Sequence, residues 1–271
     1  MTGRVEPDRE VRGAFLVHTG GTQQSWVDPD DPLRLEFEYV QRIAEALRAT
    51  VLRRPCGVRL RVVHLGGGGM TLPRWLAAVR PGTAQIVCEP DAELLDEVRR
   101  KLPVGRHSGI KVRTVNGRSG LAAMPAGYAD ALIVDAFDGM QVPGSLATAE
   151  FFADARRVLR PDGLMLMNVA DQAPFGWARS CVAGIARNAP HLLVTAESAV
   201  WKGRRYGNLV VLGSRTPLPL ADLEAASRHA LFGYRSTGGA ALRRWLGGAE
   251  PFSDAAPQDS PGPAGGRNWF S

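Results

Sequence analysis

The chain has 271 residues, 45% of them hydrophobic, with 33 Lys plus Arg against 27 Asp plus Glu and a formal charge of +6 at pH 7. That apolar content supplies a buried core and excludes wholesale disorder, and the absence of any apolar run of about 18 residues argues against a membrane span. Lysine occurs only at Lys101, Lys111 and Lys202, and the arginine clusters are dispersed, with no basic stripe interleaved with aromatics, which argues against a nucleic-acid partner. Met1 to Glu10 mixes both signs of charge and has no apolar stretch of the kind a secretory leader needs. Cys56, Cys88 and Cys181 are widely spaced, form no CxxC pair and suit a reducing compartment, so a cytoplasmic location is expected.

In chain order, Ala14 to Val17 is an apolar run, Gly20-Gly21 makes a turn and Ser25-Trp26-Val27 returns, which predicts a short hairpin. Asp31-Pro32 marks a helix start, and Leu35, Tyr39, Ile43, Ala46 and Leu47 recur at helical spacing to about Leu52. From residue 58 strands alternate with helices. Strands are expected at Arg59 to His64, Ala84 to Cys88, Ile110 to Val115, Ala131 to Asp135 and Gly163 to Val169. Helices are expected near Leu72 to Val79, Ala92 to Leu102, Leu121 to Met124, Thr148 to Leu159 and Gly176 to Asn188. Such alternation predicts a parallel sheet covered on both faces. His191 to Glu197 and Asn208 to Leu212 then read as an antiparallel hairpin at the sheet edge, joined by the basic loop Lys202 to Gly207. Three units are expected: hairpin and helix over 1–55, the α/β domain over 56–248, and a disordered Pro/Gly/Ser-rich tail over 249–271.

The chemistry gathers at strand ends, because ligands of open α/β sheets sit beyond the carboxyl ends of the strands. His64-Leu65 runs into Gly66, Gly67, Gly68 and Gly69, where the lack of a Cβ lets backbone approach a ligand. Glu89 ends the second strand, where an acidic side chain can accept from ribose hydroxyls. Asn116-Gly117 follows the third strand, and Asp135-Ala136-Phe137-Asp138 the fourth. Each has a plainer alternative. The glycines could be a packing turn, Glu89 a helix N-terminal carboxylate, Asn116-Gly117 a common turn, and Asp135 or Asp138 a cap. The segment Gly139 to Gly144 is loop-like and placed to close over an acceptor. The five histidines, His18, His64, His107, His191 and His229, have no metal-ligand spacing, so no metal is expected.

These residues, with Gly20-Gly21-Thr22-Gln23-Gln24-Ser25, resemble the spermidine synthase (polyamine aminopropyltransferase) family and its bacterial spermidine-synthase-like relatives over roughly residues 15 to 212. The resemblance implies a class I adenosylmethionine-dependent methyltransferase-type Rossmann fold, a mostly parallel seven-stranded sheet with a short N-terminal β-hairpin. It implies S-adenosylmethionine or its decarboxylated form as donor, held by Gln24, Gly66, Gly67, Gly68, Glu89, Asn116, Gly117 and Asp138. Asp135 is then the residue that positions and deprotonates the attacking amine of a small-molecule acceptor. Gly69 stands where the family's motif carries aspartate, and the family's Tyr-His-Glu triplet has no clear match, Leu35-Glu36-Phe37 lying in its region. Three functions follow as expectations: transfer of an alkyl or aminopropyl group to an amine, small-molecule methylation through the same pocket, or nucleoside binding without catalysis. A homodimer is compatible with each.

Overall fold

The computed structural model describes residues 4–19, 21–228 and 233–263. Gly20 of the expected turn, His229 and the tail residues 264–271 lie outside the described residues. The N-terminal hairpin is β2 (Phe15–Thr19) against β3 (Thr22–Val27), and a further strand, β1 (Arg4–Pro7), pairs antiparallel with β2. A three-stranded sheet therefore replaces the expected hairpin. Helix α1 is Glu38–Ala49, shorter at its start than the apolar spacing predicts. Asp28 Oδ1 accepts from the Asp30 and Asp31 amides, and Asp31 Oδ1 from that of Leu33. These local side-chain bonds hold the chain in turns where a helix was expected to begin.

The large sheet starts with β4 (Arg61–Leu65), α2 (Thr71–Val79), β5 (Ala84–Cys88), α3 (Ala92–Lys101), β6 (Ile110–Arg113), α4 (Gly117–Ala122) and β7 (Ala129–Val134). The chain continues through α5 (Ala149–Val158), β8 (Leu159–Asp171), α6 (Gly176–Ala186), β9 (His191–Glu197), α7 (Ser198–Trp201) and β10 (Gly207–Ser214). It closes with α8 (Leu220–Arg228), β11 (Tyr234–Gly238) and α9 (Gly239–Leu246). Spatial order is β11-β9-β10-β8-β7-β4-β5-β6, with β8, β7, β4, β5 and β6 parallel. The chain moves outward from β4 to β6 and then restarts on the other side of β4 with β7. That reversal is where an open α/β sheet opens a ligand crevice.

Strand alternation builds the core on both faces. Val63, Leu65, Leu132, Val134, Met165 and Met167 point toward α4, α5 and α6. Their neighbours Val62, Ala131, Ile133, Leu164 and Leu166 point toward α1 and α2, where Trp75 is fully buried. This is the period-2 pattern of strands covered on both sides. The small sheet is fastened through Val5, Val17 and Val27 to Met70 and to Leu94, Leu95 and Val98 of α3.

Two further expectations change. The sheet has eight strands: β10 inserts antiparallel between β8 and β9, and β11 pairs with β9, so the β9–β10 hairpin is not the edge. The stretch 250–263, expected to be disordered, lies against the domain. Phe252 bridges Thr148, Trp177 donates to the Gln258 carbonyl at 2.7 Å, and Ser260 is fully buried. A composition poor in apolar residues predicts disorder when only core burial is counted, and polar docking against a finished domain escapes that count. Among the described residues, no helix is long and apolar enough to cross a membrane, and no cluster of His, Cys, Asp and Glu could hold a metal.

Candidate active site

Leu65 ends β4, and the next residue turns sharply: Gly66 has φ +94, and a Cβ there would lie 2.1 Å from the Asp135 carbonyl oxygen. The loops after β4 and β7 are thus in backbone contact, which only glycine permits. Gly68, at φ +45, faces the Ser25 hydroxyl, and the Gly69 amide donates to Ser25 Oγ at 3.0 Å. At Gly69 a Cβ would meet Val27 Cγ2 at 2.6 Å and Val17 Cγ2 at 3.1 Å. The small N-terminal sheet therefore occupies the space that an aspartate at this position would need. Ser25 was not among the expected site residues; its place in the hairpin gave no sign of the contact.

Glu89 is nearly buried, and its Oε2 accepts from the Gly67 and Gly68 amides at 2.8 and 3.3 Å while Oε1 accepts from Asp91 at 3.1 Å. A carboxylate offers about four acceptor positions, so its anchoring to the loop leaves capacity for a hydroxyl. Asn116 caps α4, its Oδ1 accepting from the Ser119 amide at 2.8 Å, so that oxygen serves a helix start where the sequence offered a plain turn as the alternative. Gly117 is the first residue of the helix and packs on Leu65. These residues, with Asp135 and Asp138, line one cavity of about 560 Å³. That volume suits a drug-sized or nucleoside-sized ligand.

Gln24 and Tyr39 line this cavity and also a second one, of about 280 Å³. Gln24 Nε2 donates to the Gly139 carbonyl at 2.6 Å, so it ties the hairpin to the loop after β7. Glu38, Asn168, Glu197, Arg205, Tyr206 and Tyr234 contribute to the second cavity. Glu197 is paired with Arg205, whereas Glu38 Oε2 is buried without a hydrogen-bond partner. Burial pushes the Glu38 carboxyl up, and Glu197 adds to this while Arg42 opposes it.

Asp135 lines the larger cavity, and its two hydrogen-bond partners line the smaller one. Asn168 Nδ2 donates to its Oδ1 at 2.9 Å, and the Tyr39 hydroxyl to its Oδ2 at 3.4 Å. Burial raises its carboxyl to about 6, with those two donors pulling the other way. Tyr39 and Asn168 were missed as site residues. Tyr39 reads as one more apolar helix position, and Asn168 sits inside an apolar strand run where only the sheet order brings it to β7. His64 is a core residue: Nε2 lies 3.0 Å from Gln85 Oε1, and burial lowers its pKa to about 4, leaving it neutral.

A parallel sheet with a glycine corner after its first parallel strand, an acidic residue after the second and a crevice at the strand-order reversal defines a class I adenosylmethionine-type Rossmann protein. No family model matches the chain. The polyamine aminopropyltransferase of Chromobacterium violaceum is 26% identical over 153 residues, 56% of each chain, so this chain spans little more than half the length of that curated relative. A probable spermidine synthase of Corynebacterium glutamicum superposes with a TM-score of 0.87 at 30% identity, covering 93% of this chain and 92% of that one. Human Methyltransferase-like protein 13, solved with SAH, shares the fold at a TM-score of 0.59 and 20% identity, covering 81% of this chain and 96% of its own. The chain belongs to the spermidine synthase family.

Proposed function

We propose that the chain transfers an aminopropyl group from decarboxylated S-adenosylmethionine to a small amine. The donor's nucleoside is assigned to the 560 Å³ cavity, and the acceptor to the 280 Å³ cavity. The observation that carries this reading is Asp135, whose raised carboxyl lines the larger cavity and accepts hydrogen bonds from Tyr39 and Asn168, two residues that line the smaller one. The two relatives at 26% and 30% identity, a polyamine aminopropyltransferase and a probable spermidine synthase, support the choice of group transferred.

Gly66 to Gly68 line the space assigned to the nucleoside, and Glu89 is assigned to the ribose. Asn116, Gly117 and Asp138 border the same space. An amine attacks only when neutral. It forms a bond to the donor's aminopropyl carbon as the carbon–sulfur bond breaks, the electron pair stays on sulfur, and the product is a thioether. The proton leaves the amine for Asp135, whose raised carboxyl is a better base than an exposed aspartate. Asn168 and Tyr39 hold that carboxylate's orientation. Alignment of this kind contributes roughly 7–11 kcal/mol to such displacements.

Methylation through the same site is the second reading, because Gly69 leaves the family's glycine motif without its aspartate. Calorimetric titration of S-adenosylmethionine, its decarboxylated form and 5′-methylthioadenosine into the protein separates the two. Preference for the decarboxylated donor is expected, preference for the intact one supports methylation, and binding of none sinks both. Asp135→Asn is expected to lower turnover by about 10²–10⁴ while nucleoside affinity stays within several-fold; an equally active variant removes Asp135 from the mechanism. A reducing compartment suits the three free thiols, and a homodimer is tested by sedimentation.

A further inference from the structure

The loop from Asp138 to Ala147 is a wall common to both cavities: Gly139 and Met140 face the acceptor side, and Pro143, Ser145 and Leu146 the nucleoside side. On its inner side it is tied by Gln24 at Gly139 and by the Tyr206 hydroxyl, which donates to the Met140 carbonyl at 3.0 Å. Its other ties come from the far end of the chain. The Val142 amide donates to Ser260 Oγ at 2.8 Å, and the Ser260 amide returns to the Val142 carbonyl at 3.0 Å. The Gly144 amide donates to Asp259 Oδ1 at 2.7 Å, and Gln141 Nε2 to the Ser260 carbonyl at 2.5 Å. A Cβ on Gly144 would lie 2.6–2.7 Å from the Gln258 backbone, so the two segments are in main-chain contact.

Residues 253–263 form no helix or strand, so their backbone groups need partners elsewhere. Val142 and Gly144 in turn are buried, and their amides have no ladder to join. Each segment satisfies the other. A second attachment lies upstream, where Asp254 accepts from Thr148 Oγ1 at 2.6 Å and pairs with Arg118, a residue that also lines the nucleoside-side cavity.

We propose that Asp259 and Ser260 are positioning residues for the candidate site: the C-terminal segment acts as a strap that sets the conformation of the 138–147 loop through Val142 and Gly144. The proposal rests on the donor and acceptor assignments above for its kinetic consequence, and on the loop's order alone for its structural one. Without the strap, two buried amides lose their acceptors, and the loop is expected to turn them toward water and open the wall of both cavities.

The test uses the full chain with Asp259→Ala and Ser260→Ala, singly and together. Amide exchange at Val142, Gly144 and their neighbours is expected to quicken by about tenfold or more in the double variant, with β7 and β8 unchanged. Affinity for 5′-methylthioadenosine is expected to fall about three- to tenfold, and the acceptor KM to rise by more than kcat falls. Asp259→Asn keeps an acceptor for the Gly144 amide and is expected to match the unmodified chain. Glu250→Ala breaks only the exposed Arg187–Glu250 pair and is expected to change nothing. Unchanged loop exchange in the double variant overturns the proposal, as does a loosened loop with unaltered nucleoside affinity and KM. If the unmodified protein binds no nucleoside and shows no turnover, the functional reading fails, and loop exchange alone decides whether the strap orders the loop.

Discussion

Burial lifts the Asp135 carboxyl from the ordinary 3.8 to about 6, so the folded chain binds that proton more tightly than the unfolded chain does. The stability this group contributes is complete below about 3.8 and is lost as pH rises through about 6. Buried His64 works in the opposite direction: held near 4 against an ordinary 6.5, it makes the fold less stable as pH falls between those values. A single melting curve would mix the two, and a difference experiment separates them. The Tm of Asp135→Asn relative to the unmodified protein is expected to be higher at about pH 8 than at about pH 4, because the substitution removes a group that is unfavourable only when charged. A flat difference across that range would show that the carboxyl is not raised. Activity should show the same group as a rising limb of kcat/KM with a midpoint near 6, absent from any residual activity of the variant.

At the scale of elements, the corner after β4 is where three parts of the chain meet, and its glycines meet different neighbours. Gly66 faces main chain at Asp135, which cannot move without shifting β7. Gly66→Ala is therefore expected to destabilise the protein by about 1–3 kcal/mol and to abolish nucleoside binding, read by urea unfolding and calorimetry. Gly69 faces the side chains of Val17 and Val27 in the small sheet. Gly69→Asp restores the family's residue type yet is expected to lose stability of a similar order, about 1–3 kcal/mol, without gaining affinity for decarboxylated donor. A gain in that affinity would mean that the aspartate can reach the cavity past the small sheet. The glycine run and Glu89 were legible because turn chemistry and strand-end spacing are local properties. Tyr39 and Asn168 were not, because what distinguishes them from core positions is only their distance to Asp135.

For the molecule as a whole, the two buried cysteines and the one exposed cysteine give a simple check on the packing. Cys56 is exposed, whereas Cys88 and Cys181 are buried and burial pushes both thiols up. Alkylation of the native protein near neutral pH is expected to modify Cys56 alone, with all three reacting in denaturant; rapid native labelling of Cys181 would contradict the packing of α6 on the sheet. The alternation of strands and helices, the glycine corner and the acidic strand ends were determined by the sequence itself, since periodicity and turn preference act over a few neighbouring residues. The eighth strand, the insertion of β10 beside β8, the seating of the small sheet on Gly69 and the docking of residues 250–263 were decided only in the tertiary structure. Each depends on a contact between segments distant in the chain, where hydrogen-bond partners and steric room exist only after the rest has folded.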